Sequence, residues 1–338
     1  MDIRRIEFVS PGEARLCPFD LREPKAGEVM VHTMVTTVSA GTERANLMGD
    51  PNVGGDYRGP VLFPRILGYS GAGVIEKVGE GVRDLKVGDR VYTSWGQHAE
   101  YHVFPERFVH KLPDDLSFEE GALLHICTFP LAGVRKSRLE IGESAMTVGL
   151  GILGMMSIMI QRACGAYPVI ASDPNPERRE LALQFGADYA FDPTKPEFVD
   201  EVNRVTDGRM VNAAVEVTGN GPALDRLLDV MARFGRVALL GCTRDSNFTI
   251  DYYHKVHCPG ITMVGAHTNA RPEDDSSEHF WTECDDITAA MRLVRAGRLQ
   301  LKTLIRETHS PEEAHEVYSR LAENRFPVCV QFDWRKLN

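Results

Sequence analysis

AMTVGLGILGMMSIMI, residues 145–160, decides how the middle of this chain folds. A short apolar run, Ala145 to Val148, meets Gly149, Gly151 and Gly154, and an apolar segment of helical character follows. Strand, glycine turn, helix is the setting in which the G-x-G-x-x-G spacing carries meaning. The first glycine permits a tight turn, the second lets backbone approach a phosphate, and the third lets helix and strand pack closely. Backbone N–H groups at the head of the helix, from Gly151 through Ile152, Leu153 and Gly154, would seat phosphate groups with the helix dipole behind them.

The next apolar run, PVIAS, ends in Asp173. That is roughly twenty residues past the glycines, where an acid accepts hydrogen bonds from ribose hydroxyls. A carboxylate there repels a ribose 2′-phosphate, so NAD is the expected dinucleotide and NADP the less favoured one. Arg178 and Arg179 follow closely and would soften that preference. A glycine turn that merely packs a helix explains the spacing but not the acid.

Working outward, strand and helix alternate from Glu143. AMTVGL leads to a helix reaching about Ala163, and PVIASD to a helix from Pro176 to Phe185. NAAVEVT, another helix, RVALLG and ITMVGAH complete the series. This predicts an α/β fold with a doubly wound parallel sheet of Rossmann type over residues 119–267. SFEEGALL, from Ser117, reads as a helix start. The first hundred residues are β-rich runs broken by Gly, Pro and Asp, for which an irregular antiparallel barrel or sandwich is expected. Residues 268–338 read as returning to that first domain, giving 1–118 with 268–338 against 119–267.

The chain has 338 residues, long enough for two domains. Its 38 basic and 48 acidic residues give a net charge of −10, and no basic cluster offsets it, which argues against a nucleic-acid partner. The N-terminal run MDIRRIEFVSPGEARL has no apolar leader segment, and the most apolar stretch, 145–160, is too short and glycine-rich for a membrane span. Seven widely spaced cysteines read as reduced thiols, so a cytoplasmic protein acting on a small molecule is expected.

GYSGAGVIEKVGEGVRDLKVGDRVY, GLGILG with SDPNPERRELALQFGAD, and GRVALLG together resemble the medium-chain dehydrogenase/reductase superfamily, the relatives of zinc alcohol dehydrogenase. The likeness covers nearly the whole chain. It implies a GroES-like β-rich catalytic domain, a Rossmann domain, an active site in the cleft between them, and a homodimer or homotetramer. It places Thr128 near the nicotinamide, and Thr218 and Gly241 beside the cofactor ribose.

The departures from that pattern concern zinc. The resemblance puts a cysteine ligand at Ala40 and a proton-relay hydroxyl at Thr42. Its Gly-His-Glu run corresponds to Gly68-Tyr69-Ser70, its third ligand falls at about Leu124, and the four-cysteine structural lobe is missing. A catalytic zinc needs three N, S or O ligands around an open position; Ala40, Tyr69 and Leu124 do not supply them, and no zinc is expected. His125 with Cys127 makes only two donors. VSAGTER, LGYSGAGV and GAHT resemble a zinc-less branch that includes the dehydrogenase part of bi-domain oxidoreductases.

Without a metal, side chains must stabilise charge on the reacting oxygen and exchange its proton. Thr42 is a candidate to touch that oxygen. Glu43 is a candidate base or orienting group, against an ordinary ion pair with an arginine. Tyr69 would present a phenol where the metal stood, against a core tyrosine. His125 and His267 are further acid/base or substrate-binding candidates, and Trp95 offers a face to a sugar or ring. The leading reading is an NAD-dependent, zinc-independent oxidoreductase of secondary alcohols on a polyol, sugar-like or cyclic substrate. An NADPH-dependent enone or quinone reductase and a non-catalytic dinucleotide-binding scaffold are the alternatives.

Overall fold

The computed structural model describes residues 3–53 and 61–337. The chain divides into two compact units, Met1–Ile126 with Leu301–Asn338, and Cys127–Gln300. The first boundary thus falls at 126 rather than 118, inside the Phe118–Lys136 helix. Residues 268–300, expected with the first domain, cluster with the second. The reason is a buried anchor: Ile287, Ala290 and Val294 of the Glu283–Arg295 helix are buried, and Asp286 accepts from Arg135 Nη2 at 2.9 Å.

In the second unit, the described residues form a six-stranded parallel sheet. Its order is Tyr189–Phe191, Val169–Ser172, Ala145–Val148, Val211–Glu216, Met231–Leu239, Thr262–Gly265. Counted along the unit this is 3-2-1-4-5-6, and the order reverses between Ala145–Val148 and Val211–Glu216, where ligands of such sheets bind. Ala145–Val148 and Val169–Ser172 are buried at every position, as central strands covered on both faces must be. Met146, Ile170, Val237 and Phe198 lie in the core beneath. The helix expected from Pro176 begins there. The Asn175 side chain accepts from the Glu177 and Arg178 N–H groups and Pro176 opens the Pro176–Gln184 helix.

In the first unit, one sheet runs Glu307–His309, Val330–Asp333, Glu28–Thr37, Ser70–Val78, Arg90–Ser94, Val109–Lys111, with Tyr101–Pro105 also on Glu28–Thr37. All its pairings are antiparallel except Glu307–His309 with Val330–Asp333. Register shifts at Met30/Val31 and Thr33/Val35 bend it toward the rolled form expected of this half. A second sheet, Glu13–Pro18, Arg4–Ser10 and Arg65–Ile66, covers a core of Ile6, Phe8, Leu47, Tyr318 and Phe332. Ser117 and Glu120 exchange hydrogen bonds at the head of the Phe118–Lys136 helix, the capping box that SFEEGALL signals. Among the described residues no helix is long and apolar enough to cross a membrane.

Candidate active site

The glycine turn of the second unit is built as its spacing requires. Gly149 has φ +93, and a Cβ on it would lie 2.7 Å from Thr218 Cγ2, which follows the strand across the reversal point. A Cβ on Gly154 would stand 1.9 Å from the Gly149 carbonyl oxygen, so helix and strand meet here backbone to backbone. Gly151 differs: no heavy atom lies within 4 Å of where its Cβ would be, and it caps the Ile152–Ala163 helix with no side-chain bond to the first turn. That leaves the N–H groups of Ile152, Leu153 and Gly154 without a capping acceptor in front of an open cradle that a Cβ would fill. The residues fit a dinucleotide diphosphate.

Asp173 does more than the sequence suggested. Its Oδ2 accepts the Leu150 N–H at 2.9 Å and its Oδ1 the Asn175 N–H at 2.8 Å, so it ties the glycine turn to the next strand. Arg178 Nη1 stands 3.9 Å from Oδ2. A carboxylate has about four acceptor sites, so capacity for ribose hydroxyls remains. Glu216, unremarked in the sequence, ends the strand on the other side of the reversal point. It accepts from the Thr218 N–H at 2.7 Å, the Thr218 hydroxyl and the Gly219 N–H, and burial raises its pKa. Gly241 lies against the same loop, where its Cβ would be 2.2 Å from the Gly219 nitrogen. Thr128 is buried, and its carbonyl accepts from Arg271 Nη2 at 2.7 Å. His267 is exposed, its Nδ1 accepting the Asn269 N–H at 3.1 Å.

In the first unit, the remaining candidates gather around the head of the Ala40–Met48 helix. Glu43 is fully buried, and its partner is not an arginine. Its oxygens accept from the Ser39 N–H at 2.8 Å, His98 Nε2 at 3.1 Å and the Tyr318 hydroxyl at 2.6 Å. Three donors are what allow a carboxylate to sit out of water. His98 Nδ1 lies 2.7 Å from Thr36 Oγ1, which also accepts from Trp334 Nε1 at 3.0 Å. Thr42 is half-buried on the same turn, and its carbonyl accepts from Asn46 Nδ2 at 2.8 Å.

Tyr69 donates its hydroxyl hydrogen to Ser39 Oγ. Its ring centroid lies 5.9 Å from that of Trp95 and 5.7 Å from that of His125, and Trp95 and His125 meet edge to face at 4.9 Å. Trp95 is 39% exposed and held at φ +58, a conformation that costs a bulky residue energy and marks a position fixed by its surroundings. The structure therefore brings Tyr69, Trp95 and His125 together, and joins them to Glu43 through Ser39.

Two families match the chain: the alcohol dehydrogenase GroES-like domain over residues 25–114 and the zinc-binding dehydrogenase over residues 153–281. The chain belongs to the medium-chain dehydrogenase/reductase superfamily. L-threonine 3-dehydrogenase of Pyrococcus horikoshii is 28% identical to this dehydrogenase over 335 residues, 90% of each chain. Sorbitol dehydrogenase of Bacillus subtilis is 29% identical over 208 residues, 53% of this chain and 59% of its own. The crystal structure of 2R,3R-butanediol dehydrogenase from Bacillus subtilis superposes with a TM-score of 0.81 at 22% identity, over 98% of this chain and 99% of its own. The dehydrogenase is an oxidoreductase of the alcohol dehydrogenase type, with a GroES-like unit and a Rossmann unit.

The dehydrogenase's residues do not fit the zinc for which one of those families is named. Ala40 has no donor, Leu124 is a buried alkyl group, and the Tyr69 hydroxyl is engaged with Ser39. Cys127 is fully buried, and burial pushes its thiol up to about 12. Among the described residues, no three His, Cys, Asp or Glu side chains gather as a ligand set. Besides Glu216, sequence reasoning missed Ser39, His98 and Tyr318. Ser39 carried a faint signal, a small hydroxyl residue just before a helix. His98 and Tyr318 carried none, because they reach Glu43 from far along the chain.

Proposed function

We propose that this dehydrogenase interconverts a secondary alcohol and a ketone with NAD and without a catalytic zinc, on a polyol, sugar-like or cyclic substrate. The observation that carries this reading is Tyr69, at the residue the family resemblance matches to a metal ligand, its phenol bonded to Ser39 and its ring packed against Trp95 and His125. The dinucleotide, when bound, supplies or takes the hydride. The chain's own part is to hold the oxygen and its proton. Tyr69 turns its hydrogen from Ser39 to the developing alkoxide, and the Thr42 hydroxyl is the second candidate contact. The exposed Trp95 face suits the apolar side of a ring or sugar.

Preference for NAD is supported by Asp173, a carboxylate 5% exposed at the strand end where a 2′-phosphate would have to sit. A homo-oligomer is supported by the edge strand Thr262–Gly265, where Thr262, Met263 and Gly265 are exposed and a second copy could continue the sheet. The cysteines are all free, which suits a reducing cytoplasm. The test is turnover of a panel of polyols, cyclic alcohols and enones with NAD(H) and NADP(H), alongside metal analysis. Turnover of secondary alcohols with NAD, at well under one zinc per chain and unchanged by EDTA, is expected. Stoichiometric zinc, or activity confined to enones with NADPH, would overturn the reading.

A further inference from the structure

We propose that Ser39 is a positioning residue that serves both protonation states of Tyr69. The inference rests on the reading of Tyr69 as the acid and base of the reaction. In the structure the Tyr69 hydroxyl donates to Ser39 Oγ. A serine hydroxyl has one hydrogen and two acceptor sites and rotates to suit its partner. With no substrate bound it accepts from the phenol; when a substrate oxygen takes the phenol's single hydrogen, the Ser39 hydroxyl turns to donate to the Tyr69 oxygen and keeps that bond to the phenolate.

The balance is simple. In ketone reduction the Tyr69 O–H bond breaks as a proton moves to the substrate oxygen, leaving a phenolate. The Ser39 hydroxyl turns its own hydrogen toward that oxygen without giving it up, and water later restores the proton to Tyr69. In alcohol oxidation the order reverses. A hydrogen bond to the charged form favours that form, so Ser39 eases the proton's departure.

The surroundings leave Ser39 little else to do. It is buried, and its N–H is fixed on Glu43 Oε1 at 2.8 Å. Tyr69 is fixed too, since its carbonyl accepts the Trp95 N–H at 2.9 Å and its ring meets Trp95 and His125. Among the described residues, His125 on the Phe118–Lys136 helix packs against the Tyr69 ring, and Glu43 on the Ala40–Met48 helix holds the Ser39 N–H. Behind Glu43 stand His98 and, from the Ala314–Ala322 helix, Tyr318. Glu43 meets Ser39 through the backbone N–H, which leaves the Ser39 hydroxyl to Tyr69. Glu43, with its three donors, is thus the clamp that keeps that hydroxyl in place.

The experiment compares wild type, Ser39→Ala, Ser39→Thr and Tyr69→Phe with the best alcohol found in the panel. It measures kcat and KM from roughly pH 6 to 10, and NADH affinity by fluorescence. For Ser39→Ala, kcat should fall about tenfold with KM and NADH affinity nearly unchanged, and the pH midpoint for oxidation should rise by about one unit. Ser39→Thr should restore both. A Ser39→Ala profile that overlays wild type, or equal impairment of Ser39→Ala and Ser39→Thr, would overturn the proposal alone. A Tyr69→Phe enzyme with wild-type rate and pH profile would overturn the reading beneath it as well. If Ser39→Ala does not fold, Ser39→Cys, with a weaker donor of similar size, is expected to show the same shift.

Discussion

Tyr318 donates its phenol hydrogen to Glu43 Oε2 across 2.6 Å, linking the Ala314–Ala322 helix to the Ala40–Met48 helix inside the first unit. Both groups are buried, and burial, then the Glu43 carboxylate, hold the phenol well above its ordinary pKa. Tyr318→Phe removes one of three donors from a buried carboxylate, which costs about 1.5–3 kcal/mol. Urea unfolding should show that loss while NADH affinity stays level. An unchanged midpoint would mean that the carboxylate does not depend on Tyr318.

Two glycines of one turn should answer the same substitution in opposite ways. Gly151→Ala places its Cβ in open space, so the unfolding midpoint should hardly move while NADH binding weakens by about tenfold or more. Gly154→Ala would set a Cβ 1.9 Å from the Gly149 oxygen, so stability should fall as well as binding. Calorimetric titration and thermal melts on both variants separate the two cases. Equal behaviour would contradict the division between cradle and packing contact.

Asp173→Ala should loosen the Leu150 tether and remove the acceptor near the ribose. NADH affinity is expected to drop by roughly one to two powers of ten, and the gap between NADH and NADPH to narrow. Titration calorimetry with both dinucleotides is the measurement. Equal losses for the two would remove the discriminating role from Asp173.

Acid should weaken the first unit through His102. Burial, with Arg22 and Arg5 adding to it, lowers this imidazole to about 4. The unfolded chain takes up the proton near pH 6.5. Stability from His102 is therefore full above about pH 6.5 and is lost as the pH falls toward 4. The loss is on the order of 2 kcal/mol, after discounting for partial exposure. His102→Gln should flatten the wild-type decline across that window in urea unfolding. Parallel curves would assign the decline to other groups.

The Rossmann unit was legible because its signals are local. A glycine turn, an acid at the next strand end, and a proline that opens the following helix each act within a few residues of themselves. The placement of 268–300 was not legible, because its anchor is the pair of Asp286 with Arg135, more than a hundred residues away. The same holds for Glu43. The sequence offers arginine as the commonest partner of an acid, while the structure supplies His98 and Tyr318 from distant segments. Trp95 and Tyr69 could be picked out one by one, but their meeting with His125 belongs to the folded sheet and helix, not to any window of sequence.

The strand Val330–Asp333 lies between Glu307–His309 and Glu28–Thr37, and Gln331 Nε2 donates to Thr37 Oγ1 at 3.0 Å. A nascent chain therefore completes the dinucleotide unit, a continuous run of residues, while the GroES-like sheet still lacks an interior strand. The unit that carries Tyr69, Trp95 and His125 is thus closed by residues that follow the Rossmann unit in the sequence.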